Sequence, residues 1–158
     1  MISVDPGIGG TGVAIWDPTY PKPAYTKVIR PLPNLEWMAN SEHISKEFLN
    51  LLKTYEYLVD EVYIEWPGLH QTAAGMASAA RGDIFKLMFL VGALTQQCWT
   101  NNWIMVAVPV AQWKGQMSKE AVAKRVATKL GCQPDAYPNH VMDAVGIGLA
   151  VRGNWTIR

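Results

Sequence analysis

Three carboxylates and one histidine carry most of the chemistry legible in this sequence. Asp5 closes the short run Met1-Ile2-Ser3-Val4-Asp5, just ahead of the glycine-rich stretch at positions 6–12. Glu65 ends a second run, Val62-Tyr63-Ile64-Glu65. His140 and Asp143 stand i, i+3 and share one face at the start of a helical segment. Residues so far apart in sequence serve no common local purpose. They make sense if the fold gathers them around divalent metal ions, because carboxylate oxygens suit Mg²⁺ or Mn²⁺. Two such ions about 3.5–4 Å apart activate a water and stabilise the leaving oxygen of a phosphodiester. Taken singly, each residue has a plainer explanation: a turn at Asp5-Pro6, a surface charge at Glu65, a helix-dipole partner at Asp143, a structural His140. Their combination favours the metal site.

The loop Gly7-x-Gly9-x-x-Gly12 also satisfies a dinucleotide-binding pattern, which requires a helix immediately after it. The next residues, Val13-Ala14-Ile15-Trp16-Asp17-Pro18, form instead an alternating strand that stops at a turn. No helix N-terminus is available there for a pyrophosphate. The glycines fit a tight hairpin better.

With 158 residues, 49% of them hydrophobic and 17% charged, the chain fits a single globular domain over 1–158. Its longest apolar stretch, 84–94, contains Lys86 and is too short to span a bilayer. A strand beginning at position 2 leaves no room for a signal peptide. Cys98 and Cys132 lack metal-ligand spacing and read as reduced thiols, so the expected location is intracellular, in the cytoplasm. The net charge of +1 hides an asymmetry. Residues 1–65 hold nine acidic and five basic side chains, a balance of −4, whereas residues 66–158 hold four and nine, a balance of +5. Lys114, Lys119, Lys124, Arg125 and Lys129 face only Glu120 between Pro109 and Leu130. That segment is either a solvated helix face or a footprint for phosphate contacts.

Periodicity supplies the elements that must position these residues. Strands are expected at 1–5, 12–17 and 24–30, then a helix starting at Ser41-Glu42 with Ile44, Phe48, Leu51, Leu52 and Tyr55 on one face. A fourth strand spans about 61–65. The Ala/Gly-rich stretch 73–99 reads as helical, with Gly82 or Gly92 as an interruption. A strand at 104–108, a helix over 119–130 capped by Ser118, and a last helix over 139–152 complete the order βββαβαβαα. This order implies an α/β fold: a mixed five-stranded sheet opening with an antiparallel three-strand meander, with helices on both faces. Strands one and four would be neighbours, setting Asp5 beside Glu65. The small residues Ala144, Gly146, Gly148 and Ala150 would let the last helix lie close to the sheet and present Asp143.

With these residues in place, the chain resembles the RuvC-type Holliday junction resolvases of the ribonuclease H-like superfamily over nearly its whole length. The similarity is carried by Val4-Asp5-Pro6-Gly7 with Thr11-Gly12, by Val62-Tyr63-Ile64-Glu65 and by Ala79-Ala80-Arg81-Gly82. Pro109-x-x-x-x-Lys114 with Lys119, and His140-x-x-Asp143-Ala144, agree as well. The resemblance implies a homodimer that binds branched DNA and nicks opposing strands of a four-way junction symmetrically, using Mg²⁺ or Mn²⁺. It implies two ions per active site, held by Asp5, Glu65, His140 and Asp143, with Lys114 and Lys119 near the scissile phosphate. The helix after Glu65 would supply much of the dimer interface. Trp66, His70, Arg81, Lys114, Lys119, Lys124 and Arg125 form the expected DNA-binding set. Many members carry an aromatic residue in the loop after the catalytic Glu. Here Gly68 sits three residues after Glu65, and Trp66 and His70 are the nearby candidates for stacking. The short, divergent chain also resembles phage-encoded relatives.

Three other readings compete. A related nuclease acting on flaps, forks or RNA–DNA hybrids shares the metal chemistry. An ATP-binding protein of the actin and sugar-kinase type begins similarly, yet needs two such domains. A non-catalytic junction-binding protein would have no use for a buried acidic cluster.

Overall fold

The computed structural model describes residues 1–68, 77 and 80–155. Its centre is a five-stranded sheet of β1 (Ile2–Asp5), β2 (Thr11–Ile15), β3 (Tyr25–Ile29), β4 (Glu61–Trp66) and β5 (Ile104–Pro109), in the order β3-β2-β1-β4-β5. The first three strands form the expected antiparallel meander, with Val4 opposite Val13 and Gly12 opposite Val28. β4 and β5 then add in parallel, the first of them alongside β1 with Val4 beside Ile64. One step further along that register sets Asp5 next to Glu65.

Side-chain alternation divides the sheet into two buried faces. On one face Ile2, Val4, Val13, Ile15, Val62 and Ile64 pack beneath α1 (Trp37–Thr54) and α2 (Asp83–Thr100), which contribute Ile44, Phe48, Leu52, Leu90 and Leu94. The other face lies beneath α3 (Val110–Trp113), α4 (Lys119–Leu130) and α5 (Asn139–Val151). Ser3, Asp5, Tyr63 and Glu65 belong to this second face by alternation.

The expected boundaries hold for most elements. Ser118 caps α4 by accepting from the Ala121 N–H. α1 differs: it starts at Trp37, one turn before Ser41. Ser41 is no cap, because its hydroxyl donates back to the Trp37 carbonyl inside the helix. The chain turns into α1 through Asn34, which adopts a left-handed φ of 65°. Gly82, at φ 76°, is where the stretch expected at 73–99 changes direction, and α2 runs on through Gly92 without a break. Ala77 and Ala80 are helical; the rest of that stretch before Ala80 lies outside the described residues. The short α3, immediately after β5, has no counterpart among the expected elements.

α5 lies against the sheet as closely as its small residues suggest. A methyl group at Gly148 would come 2.3 Å from Trp16 Nε1, and one at Gly146 would come 2.6 Å from Trp113 Cζ3. Two hydrogen bonds fix the helix there. The buried Ser3 hydroxyl donates to the Ala144 carbonyl at 2.7 Å and accepts from the Trp16 indole N–H at 2.8 Å. Among the described residues no helix is long and apolar enough to cross a membrane.

Candidate active site

β1 and β4 end side by side, so Asp5 and Glu65 emerge together at their carboxyl ends, and α5 starts directly above them. The close approach there is made possible by Gly12. A Cβ on Gly12 would lie 1.9 Å from the His140 carbonyl oxygen, so no other residue lets β2 pass beneath the first turn of α5 without a shift. His140 and Asp143 are thereby delivered to Asp5 from 135 and more positions away in the chain.

The four residues are joined in two pairs. His140 Nδ1 and Asp5 Oδ2 are 2.8 Å apart, with the Asp5 side chain 9% exposed. That hydrogen bond raises the His140 pKa, against the opposing effect of its partial burial. Glu65 and Asp143 share Lys114, whose ammonium lies 3.8 Å from Glu65 Oε2 and 3.7 Å from Asp143 Oδ2. Glu65 Oε2 also accepts the indole N–H of Trp113 at 2.8 Å.

The electrostatics are those of an acidic cluster with too little positive charge. Burial, then the nearby Asp5 charge, push Glu65 up to about 7, against the opposing pull of Lys114 and the Trp113 hydrogen bond. Asp143 is raised for the same reasons, burial first and Asp5 second, with Lys114, Lys119 and His140 opposing. Such a cluster stores a preference for an added cation. The donor set of three carboxylates and one imidazole fits Mg²⁺ or Mn²⁺ chemistry. The arrangement is pairwise, however: among the described residues no group of three or more acidic, histidine or cysteine side chains is close enough to hold an ion as it stands.

The expected basic and aromatic residues separate into several environments. Lys114 is inside the site, and Lys119, exposed at the start of α4, is near enough to lower the pKa of both His140 and Asp143. Lys119 and Lys124 line one groove together with Glu120, Asp135, Gln133 and Asn139. Arg125 is half-buried, with its guanidinium 5.2 Å from the Trp155 ring. Arg81 is exposed and paired with Asp83 at 3.0 Å. Trp66, next to Glu65 but on the opposite face by alternation, is 39% exposed and so is not a core residue. His70 lies outside the described residues.

Trp113 and Gly12 are the participants that spacing alone does not single out. Trp113 sits inside Pro109-x-x-x-x-Lys114 and has a single indole donor directly before the lysine, a signal present in the sequence. The role of Gly12 depends on a helix 128 positions later and has no local signature.

No family model matches the chain, and no curated protein matches its sequence. Solved structures do match. The structure of Thermus thermophilus RuvC in complex with a Holliday junction substrate superposes with a TM-score of 0.72 at 20% identity, covering 95% of this chain and 91% of that one. This chain has a RuvC-type fold. A second Thermus thermophilus RuvC structure agrees, with a TM-score of 0.70 at 19% identity and 98% of both chains covered. The mixed five-stranded sheet with its helices is shared with these RuvC structures.

Proposed function

We propose that the protein is a metal-dependent endonuclease that resolves four-way DNA junctions. The observation that carries this reading is the convergence of Asp5, Glu65 and Asp143, with Lys114 between the last two, at the strand ends of a RuvC-type fold.

In this reading Asp5, Glu65, His140 and Asp143 hold two Mg²⁺ or Mn²⁺ ions. When bound, the ions supply a nucleophilic water at neutral pH and charge stabilisation for the leaving 3′ oxygen. The chain's own groups do the rest. Trp113 fixes the Glu65 carboxylate by donating to Oε2. His140 and Asp5 orient one another through their 2.8 Å contact. Lys119 and Lys124, which line a groove that Glu120 and Asp135 also line, offer ammonium groups to backbone phosphates. Trp66 offers an exposed indole for stacking next to Glu65.

Symmetric nicking of a junction needs two sites, and the apolar surface of α1 and α2 supplies a surface for a homodimer. Phe85, Phe89 and Met38 are 74%, 49% and 55% exposed, and Trp37 packs edge-on against Phe89 with ring centroids 5.3 Å apart. Exposed aromatic residues clustered this way mark an interaction surface.

The deciding experiment is cleavage of a labelled four-way junction with and without Mg²⁺, by the wild type and Asp143→Asn, beside a linear duplex, a flap and an RNA–DNA hybrid. Paired, metal-dependent nicks that disappear in the variant are expected. Equal cleavage by the variant would refute the site. Preferential cleavage of flaps or hybrids would keep the site and replace the substrate, and binding without cleavage by either protein would leave a junction-binding protein.

A further inference from the structure

Lys114 stands in the middle of the acidic site rather than at its rim. Its side chain is 18% exposed, between carboxylates that are 15% and 12% exposed. The two acids come from different elements, Glu65 from β4 and Asp143 from α5. Separations of 3.8 and 3.7 Å are ion-pair distances, longer than a hydrogen bond to either oxygen. The ammonium also lies 4.8 Å from the centre of the Trp113 ring. Lys114 is therefore attracted from three sides and locked by none of them.

We propose that Lys114 is the resident counter-ion of the site, holding Glu65 and Asp143 together until a divalent cation takes its place and drives its ammonium out. This inference rests on the metal-dependent reading above. Two buried carboxylates on separate elements repel one another, and without a cation between them α5 would be pushed from the end of β4. Lysine suits a displaceable role, being a compact point charge on a flexible four-carbon stem. A rigid guanidinium fork would bind the carboxylates bidentately and resist replacement. Once expelled, the ammonium is positioned at the mouth of the site, where substrate phosphate arrives.

The consequence is competition: the wild type binds divalent ions less tightly than its carboxylates alone would allow. Calorimetric titration of Mn²⁺ into the DNA-free protein reads this directly. Lys114→Met and Lys114→Gln are expected to bind Mn²⁺ at least about tenfold more tightly than the wild type, since a competing unit charge has been removed at about 4 Å. Lys114→Arg is expected to bind no more tightly than the wild type. A second measurement uses the unmodified protein and needs no folded variant: reductive methylation of Lys114, read by mass spectrometry, rises when Mn²⁺ is added. Unchanged or weaker Mn²⁺ binding by both neutral variants, or methylation of Lys114 that falls with Mn²⁺, overturns the proposal. If the wild type binds Mn²⁺ and cuts junctions in that case, the counter-ion role alone fails. If no folded form binds Mn²⁺ at all, the metal-dependent reading fails with it.

Discussion

Trp113 Nε1 donates to Glu65 Oε2 across 2.8 Å while the same indole ring packs against Gly146 of α5. One side chain thus ties the end of β4 to the helix that carries Asp143. Trp113→Phe removes the donor and keeps an aromatic ring, though a smaller one. The carboxylate oxygen then loses a hydrogen bond in a buried setting, at a cost of about 1–3 kcal/mol. Thermal unfolding should show this loss. The pH profile of cleavage should move in the alkaline direction, because the hydrogen bond favours the charged form of Glu65. A purely structural tryptophan would lower the melting temperature and leave the profile in place.

The raised acids make the metal-free protein less stable as pH rises. Glu65 has its folded value near 7 against 4.5 in the unfolded chain, so between those values the folded state holds a proton that the unfolded state has released. Its stabilising contribution is complete below about pH 4.5 and is lost as pH climbs to about 7, by up to about 3 kcal/mol. Asp143 and His140 are also raised and act with the same sign. Denaturant unfolding in EDTA at pH 5 and pH 8 measures the difference, and Glu65→Gln should flatten it. A wild type that gains stability from the site over this interval would contradict the electrostatic picture.

Gly12→Ala tests the close approach of β2 to α5. The added methyl would lie 1.9 Å from the His140 carbonyl oxygen, so backbone must move. A loss of about 2–3 kcal/mol in stability is expected from such overpacking. Cleavage should fall further than the stability loss explains, since His140 and Asp143 both shift. The control is Gly9→Ala, where the new Cβ meets nothing within 4 Å. Unfolding and cleavage measured on both variants separate packing from a general intolerance of the loop.

Lys119 and Lys124 are expected to act on DNA as phosphate contacts. Either residue changed to Ala should weaken junction binding at every sequence tested, and each should lower the slope of log affinity against log salt by about 1. Arg125→Ala should leave that slope unchanged, because its guanidinium is committed to the Trp155 ring. A fluorescence titration at several salt concentrations distinguishes the three.

The sheet and the acidic site are legible in the sequence because they rest on local patterns. Alternation in 1–5 and 61–65 defines two strands, and the residue at the end of each is acidic. The small residues of α5 announce a helix that can approach the sheet, as Gly146 and Gly148 do. Ser41 misleads because a hydroxyl that caps a helix and one that bonds back inside it have the same local sequence; Trp37 and the turn at Asn34 decide between them. Charge along α4 places Arg125 with the lysines, and only the position of Trp155 shows that its guanidinium lies over an indole ring. Trp113 stands beside Lys114 in the sequence, but its partner is not legible there, because the carboxylate that it serves is 48 positions away and its helix is a single turn.

The order of the site residues along the chain has a consequence for synthesis. Asp5 and Glu65 are made early, and the sheet that aligns them needs β5 only as its outer neighbour. Asp143 arrives with α5, after every strand of the sheet has been synthesised. A nascent or truncated chain that stops short of α5 therefore carries two of the acids, without the third and without the Ser3–Ala144 bond that seats it. The acidic site is therefore incomplete in unfinished copies and is assembled only in the molecule whose last described helix has docked.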